Sequence, residues 1–190
     1  MDLTNSLFRA ALRRPRAVAT IFPTGPWVAR QLVRDVRAGQ RVVELGPGSG
    51  AITRHLPNDV LYVGVEVDPA LVSGLRARFP TFHFEVAGAQ DLARHVAPAS
   101  VDVAIASLPW TLLSTEVRAA TLAGLGRSLR PDGRLSTYVC LHVAWTPGAR
   151  RFTEELRDVF ESVDSRVVEW RNAPPARVFH ARRPRGRSAG

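Results

Sequence analysis

The chain has 190 residues and a formal net charge of +9, and every one of its 26 basic Lys-or-Arg positions is an arginine. The single Cys140 excludes an internal disulfide and a cysteine-cluster zinc site, and no apolar run is long enough to span a bilayer. The length suits one domain with a substantial core, no secretory signal is apparent, and the charge favours an anionic partner, either nucleic acid or an anionic membrane surface.

Residues 1–37 read as an N-terminal helical segment. Leu3, Leu7, Phe8, Ala11 and Leu12 recur at helical spacing, with Arg9, Arg13 and Arg16 on the other side. Two readings of this basic amphipathic stretch stand: a helix packed on its own domain, or one lying in a membrane interface. Pro15 ends it. Thr24 is placed to cap a second helix from Trp27 through Arg37, which sends Val28, Leu32, Val33 and Val36 inward. Gly39 closes that helix.

Arg41–Leu45 is a short apolar strand. Gly46, Gly48 and Gly50 then turn the backbone, and Ala51–Leu56 is expected to open a helix. Such a turn leaves main-chain N–H groups facing a ligand. Leu61–Glu66 is a second strand ending in a carboxylate 20 residues after Gly46, where it can accept from ribose hydroxyls.

A helix from Asp68 to about Phe79 follows, then a strand over 82–86 and a turn over 88–92. Val101–Ala106 is apolar throughout, as a central parallel strand should be. A helix from Ser114 or Thr115 to Leu129 precedes a strand over 133–141 and a helix over 147–160. Strands over 163–170 and 177–181 close the core, taken as 38–181, and residues 182–190 read as a basic flexible tail. Alternating strands and helices predict an α/β fold, a doubly wound and mostly parallel sheet with an antiparallel end.

The glycine turn formally fits a dinucleotide fingerprint. Glu44 argues against one, since it would repel a pyrophosphate but could hold a cationic amino group; Pro47 also removes a donor. Glu44-Leu45-Gly46-Pro47-Gly48-Ser49-Gly50 followed by Gly64-Val65-Glu66-Val67-Asp68 instead resembles motifs I and II of class I S-adenosylmethionine-dependent methyltransferases. The resemblance implies a seven-stranded Rossmann-like sheet and S-adenosylmethionine as cofactor. It assigns Glu44, Gly46, Gly48 and Gly50 to the methionine and ribose side, Glu66 to the ribose hydroxyls and Val67 to the adenine face. Ala89 stands where such enzymes often carry an acid for the adenine amino group, so Gln90 or Asp91 is left to substitute. No metal is implied.

Ser107-Leu108-Pro109-Trp110 occupies the place of the Asn-Pro-Pro-Tyr motif of amino-group methyltransferases. That assigns Ser107 to the target amine and sets the Trp110 ring against a methylammonium. With Phe8-Arg9, Pro23-Thr24 and the ending Trp170-Arg171-Asn172-Ala173-Pro174-Pro175-Ala176-Arg177-Val178, the chain resembles the bacterial phospholipid N-methyltransferases, which act on phosphatidylethanolamine. Tyr138 and His142 are candidates near the amine, and Arg171 and Arg177 for a lipid phosphate. The implied partners are an aminophospholipid or other amine and an anionic membrane surface. No protein partner is implied, and the expected location is cytoplasmic and peripherally membrane-associated.

Two other functions compete. The cofactor motifs also resemble ribosomal RNA adenine dimethyltransferases, but Ser107 replaces the Asn expected opposite adenine and no C-terminal RNA-binding domain is read, which argues against nucleic acid. A small-molecule methyltransferase of secondary metabolism could use the same scaffold.

Overall fold

Five parallel strands form the centre of the computed structural model, which describes residues 24–185. They are β1 (Arg41–Leu45), β2 (Leu61–Glu66), β3 (His83–Val86), β4 (Val101–Ala106) and β5 (Leu129–Cys140). Three further strands, β6 (Phe160–Asp164), β7 (Val168–Glu169) and β8 (Ala176–Pro184), complete one eight-stranded sheet. Its order is β3-β2-β1-β4-β5-β8-β6, with the short β7 also on β8. β8 runs antiparallel to β5, and β6 and β7 antiparallel to β8.

Strand alternation sorts the apolar residues onto two faces. Val43, Leu45, Ala104 and Ala106 point to one side, where α3 (Thr115–Ser128) and α4 (Pro147–Val159) supply Leu122, Leu125, Phe152 and Leu156. Val42, Val103 and Ile105 point to the other, against α1 (Pro26–Val33) and α2 (Pro69–Arg78) through Val28, Leu32, Val72 and Leu75. The result is the predicted doubly wound sheet with an antiparallel end. Asp68, Ser114 and Thr146 cap α2, α3 and α4 by accepting from the N–H groups of Ala70, Val117 and Ala149.

Several expectations need correction. Residues 51–56 form no α-helix: turns lead to a single 3-10 turn, Thr53–His55. Only six residues separate Gly50 from Pro57, and Leu56, which precedes that proline, is held extended. α1 ends at Val33 rather than Arg37 and starts at Gly25 without a side-chain cap, because the Thr24 hydroxyl bonds elsewhere. The strand expected over 163–170 is split into β6 and β7 by a bend in which the Asp164 carboxylate accepts from the Arg166 N–H. β5 begins at Leu129, four residues before the expected Gly133, and its pairing with β4 shifts register between Val101 and Val103.

β8 runs on to Pro184, since Arg182 and Pro184 pair with Ser162 and Phe160, so residues 182–184 are sheet and not tail. The amphipathic stretch over 3–14 and the tail beyond 185 lie outside the described residues. Among the described residues no helix is long and apolar enough to cross a membrane.

Candidate active site

The turn after β1 is held in a shape that only glycine adopts freely. Gly46, Gly48 and Gly50 have φ of +71°, +56° and +75°. A Cβ on Gly46 would also stand 2.9 Å from the Ser107 carbonyl oxygen, so the turn packs directly on the segment after β4. The Gly48 N–H donates to Glu66 Oε2 at 3.0 Å, tying the turn to the end of β2. The other Glu66 oxygen accepts from the N–H groups of Val67 and Asp68, at 2.8 and 3.1 Å. Three donors thus orient a carboxylate that can accept about four hydrogen bonds. No α-helix follows this turn, so its anion-cradling donors are its own N–H groups and not a helix end.

Val67, next in line, is 48% exposed and offers an apolar platform beside Glu66. On the neighbouring loop Ala89 is half-buried against the core and begins a 3-10 turn. Gln90 is exposed and lies across Gly88, whose added Cβ would stand 2.2 Å from its amide nitrogen. Its amide donates to Asp91, which pairs with Arg94 at 3.3 Å.

Glu44 is wholly buried beneath the glycine turn. Its Oε2 accepts from the Tyr62 hydroxyl at 2.7 Å and the Thr53 hydroxyl at 2.8 Å. Oε1 finds no donor among the described residues. Burial pushes its pKa up to about 7, against the opposing pull of those two hydroxyls. A buried carboxylate oxygen without a donor, beside a turn of main-chain N–H groups, fits the amino-acid end of S-adenosylmethionine, whose ammonium carries the missing hydrogens. Together with the Glu66 carboxylate and the Val67 platform, the donor set suits that cofactor from end to end.

The second half of the site stands at the carboxyl ends of β4 and β5. The Ser107 N–H donates to the Leu45 carbonyl at 2.9 Å, which continues the sheet past β4. Its hydroxyl lies 3.1 Å from the Thr24 hydroxyl and 3.4 Å from that of Tyr138. Thr24 and Tyr138 are 2.9 Å apart, so three hydroxyls form a triangle.

A latch holds the first corner of that triangle. The Gly25 N–H donates to Asn172 Oδ1 at 2.9 Å, and the buried Asn172 amide donates to the Pro174 carbonyl at 2.6 Å. A side chain on Gly25 would collide with Asn172. Thr24, Asn172, Thr53 and Tyr62 were not singled out as site residues by sequence reasoning. Thr24 looked like a helix cap, and Asn172 sat in a segment whose arginines drew attention.

Trp110 is the clear departure. Its ring is 1% exposed, stacked on Phe152 at 4.6 Å, and its Nε1–H donates to the Thr137 hydroxyl at 2.7 Å. It anchors the loop after β4 into the core between the sheet and α4, so it cannot face a methylammonium. The Tyr138 hydroxyl lies beside that of Ser107. His142 is exposed on a 3-10 turn just past β5. Arg171 and Arg177 do not converge on one point. The Arg171 guanidinium lies 4.0 Å over the Trp27 ring and reaches Glu169 at 3.3 Å. That of Arg177 lies 5.7 Å from the Trp145 ring, with its Nε buried and without an acceptor among the described residues.

The family described as Methyltransferase domain matches residues 42–133, which span β1 through the start of β5. The chain is 28% identical over 178 residues to an ornithine lipid N-methyltransferase of Singulisphaera acidiphila, covering 87% of this chain and 88% of the relative. It is 31% identical over 121 residues to ribosomal RNA small subunit methyltransferase A of Gloeobacter violaceus, and there it spans only 43% of the relative's length. Among solved structures, the Burkholderia thailandensis 1,6-didemethyltoxoflavin-N1-methyltransferase with bound S-adenosylhomocysteine superposes with a TM-score of 0.68 at 18% identity, over 94% of this chain and 86% of that one.

The matched domain, the relatives and the site together define the class of enzyme: an S-adenosylmethionine-dependent methyltransferase.

Proposed function

We propose that this methyltransferase acts on the amine of an aminolipid, phosphatidylethanolamine or a related headgroup. The observation that carries the reading is the hydroxyl triangle of Thr24, Ser107 and Tyr138. The relative that matches this chain over most of both lengths, an ornithine lipid N-methyltransferase, supports it.

The cofactor, when bound, supplies an electrophilic methyl group on sulfonium. Glu66 and Val67 would hold the nucleoside end, and Glu44 with the glycine turn the methionine and ribose side. The hydroxyl triangle serves the acceptor. Two of the hydroxyls can accept from the two N–H groups of a neutral primary amine, and uncharged acceptors stabilise an ammonium less than a carboxylate would, so the nitrogen lone pair is left for the methyl group. Holding that nitrogen in line is the main contribution of the protein to rate. Either Arg171, against Trp27, or Arg177, against Trp145, suits a headgroup phosphate or carboxylate.

An adenine in RNA is the second reading, supported by the ribosomal RNA relatives. Ser107 in place of an amide weakens it. One experiment separates them: purified protein with labelled cofactor, offered detergent-solubilised phosphatidylethanolamine, an ornithine lipid, ribosomal RNA and a panel of soluble amines. Label in an aminolipid is the expected result; label only in RNA or a soluble amine overturns the proposal.

A further inference from the structure

Exposed apolar side chains are unevenly placed on this molecule. Seven large ones are exposed among the described residues. Leu61 opens β2 at the amino edge of the sheet, and the other six stand at the carboxyl edge. Val67 and Val86 flank the nucleoside end of the cofactor site. The remaining four stand on segments next in the chain to members of the hydroxyl triangle or its latch: Trp27 at the start of α1, Leu112 after β4, Trp145 after β5 and Trp170 after β7. β7 lies level with the carboxyl end of β5, across β8 from it, since Glu169 pairs with Ala176 and Ala176 with Cys140. Trp145 and Trp170 are 70% and 71% exposed, an unusual cost for side chains that bury well elsewhere in the same protein, as Trp110 does.

Cations accompany these rings. Arg171 and Arg30 lie 4.0 and 5.2 Å from the Trp27 ring, and Arg177 lies 5.7 Å from that of Trp145. The one carboxylate beside Arg171, Glu169, is buried and ion-paired to it. The edge thus presents apolar rings with guanidinium groups at their margins, in a chain of net charge +9. Tryptophan with flanking arginine suits the boundary between acyl chains and phosphates.

We propose that the carboxyl edge of the sheet docks on the surface of an anionic phospholipid bilayer, with Trp27, Leu112, Trp145 and Trp170 in the headgroup layer and Arg30, Arg171 and Arg177 on lipid phosphates. The inference rests on the aminolipid reading and deepens it: docking this edge sets the hydroxyl triangle at the depth of a headgroup amine, so the acceptor need not leave the bilayer. The surface is made of described residues, none of them in the amphipathic stretch over 3–14.

The test uses the full chain and vesicles of phosphatidylcholine and phosphatidylglycerol, which contain no amine acceptor. Wild-type tryptophan fluorescence should be quenched by vesicles with brominated acyl chains. In the Trp145→Phe/Trp170→Phe variant most of that quenching should vanish. The Trp145→Ala/Trp170→Ala variant should lose vesicle partitioning by about tenfold, with S-adenosylhomocysteine affinity unchanged as a control for folding. Sedimentation with vesicles but no quenching, or equal partitioning of the alanine variant, overturns the proposal. So does a variant that loses affinity for a single-stranded RNA oligonucleotide while binding vesicles as the wild type does. Transfer to detergent-solubilised aminolipid is assayed apart: a protein that docks but transfers nothing overturns the acceptor reading alone, and one that transfers without docking overturns this proposal alone.

Discussion

The two halves of the active site are built differently. The cofactor half is local: Glu44, the three glycines, Glu66 and Val67 lie within residues 44–67, joined by contacts such as Gly48 to Glu66, 18 residues apart. The acceptor half is assembled from distant parts. Thr24 meets Ser107 across 83 residues and Tyr138 across 114, and Gly25 meets Asn172 across 147. One strand-turn-strand unit suffices for a cofactor that many methyltransferases share. Selection of the acceptor depends on tertiary contacts that can change without disturbing that unit. The latch through Asn172 makes the start of α1 part of the acceptor half, although it is far from the other members in sequence.

Substitutions can break this division or sharpen it. Trp110→Ala should have the largest effect and should act through the core. Removing a buried ring stacked on Phe152 costs about 3–5 kcal/mol of stability, read by thermal or denaturant unfolding. A variant with wild-type stability that fails only in later methylations would instead return Trp110 to the acceptor site.

Glu66→Ala should be next and should be confined to the cofactor half. It removes the acceptor of the Gly48 N–H and, on the proposed cofactor assignment, that of two ribose hydroxyls. At about 1.5–3 kcal/mol for each bond to a charged group, S-adenosylhomocysteine affinity should fall by about 100-fold or more in calorimetry. Unchanged affinity would remove Glu66 from the site.

Tyr138→Phe and Thr24→Val probe the other half. Each removes one corner of the hydroxyl triangle, worth about 0.5–1.5 kcal/mol. Turnover should therefore fall roughly two- to tenfold, with S-adenosylhomocysteine affinity unchanged. The double variant should lose less than the sum, because the two hydroxyls bond each other. Additive losses would show that the triangle does not act as a unit.

A further effect is one of pH. Burial raises Glu44 from 4.5 to about 7, so across that window the folded chain without cofactor keeps a proton that the unfolded chain releases. The associated stability is full below pH 4.5 and is lost as pH rises through about 7. The melting temperature of the wild type should carry this downward slope between those values, and Glu44→Gln should flatten it. Since the cofactor ammonium favours the ionised carboxylate, S-adenosylhomocysteine affinity should rise over the same window in the wild type and not in the variant. A wild type and variant with the same pH profile would place the titration elsewhere.

The sequence by itself determined what depends on neighbouring residues. Apolar runs set the strands, and Val101–Ala106 has the bounds expected of it. Short polar side chains ahead of apolar periodicity marked the caps at Asp68 and Ser114. Glycines whose φ is positive, followed by a carboxylate at the end of the next strand, marked the cofactor half, because backbone demand and spacing are written locally. Only the tertiary structure decided where side chains at the carboxyl edge point. Trp110 and Trp145 are the same residue type in two edge loops, yet one is stacked on Phe152 and the other is open to solvent. Thr24 could satisfy an N–H of its own helix or reach across to Tyr138, and the choice follows from the hold of Asn172 on Gly25. Such outcomes turn on contacts between segments distant in sequence, whose free energies appear only once β4, β5 and β8 have been brought side by side.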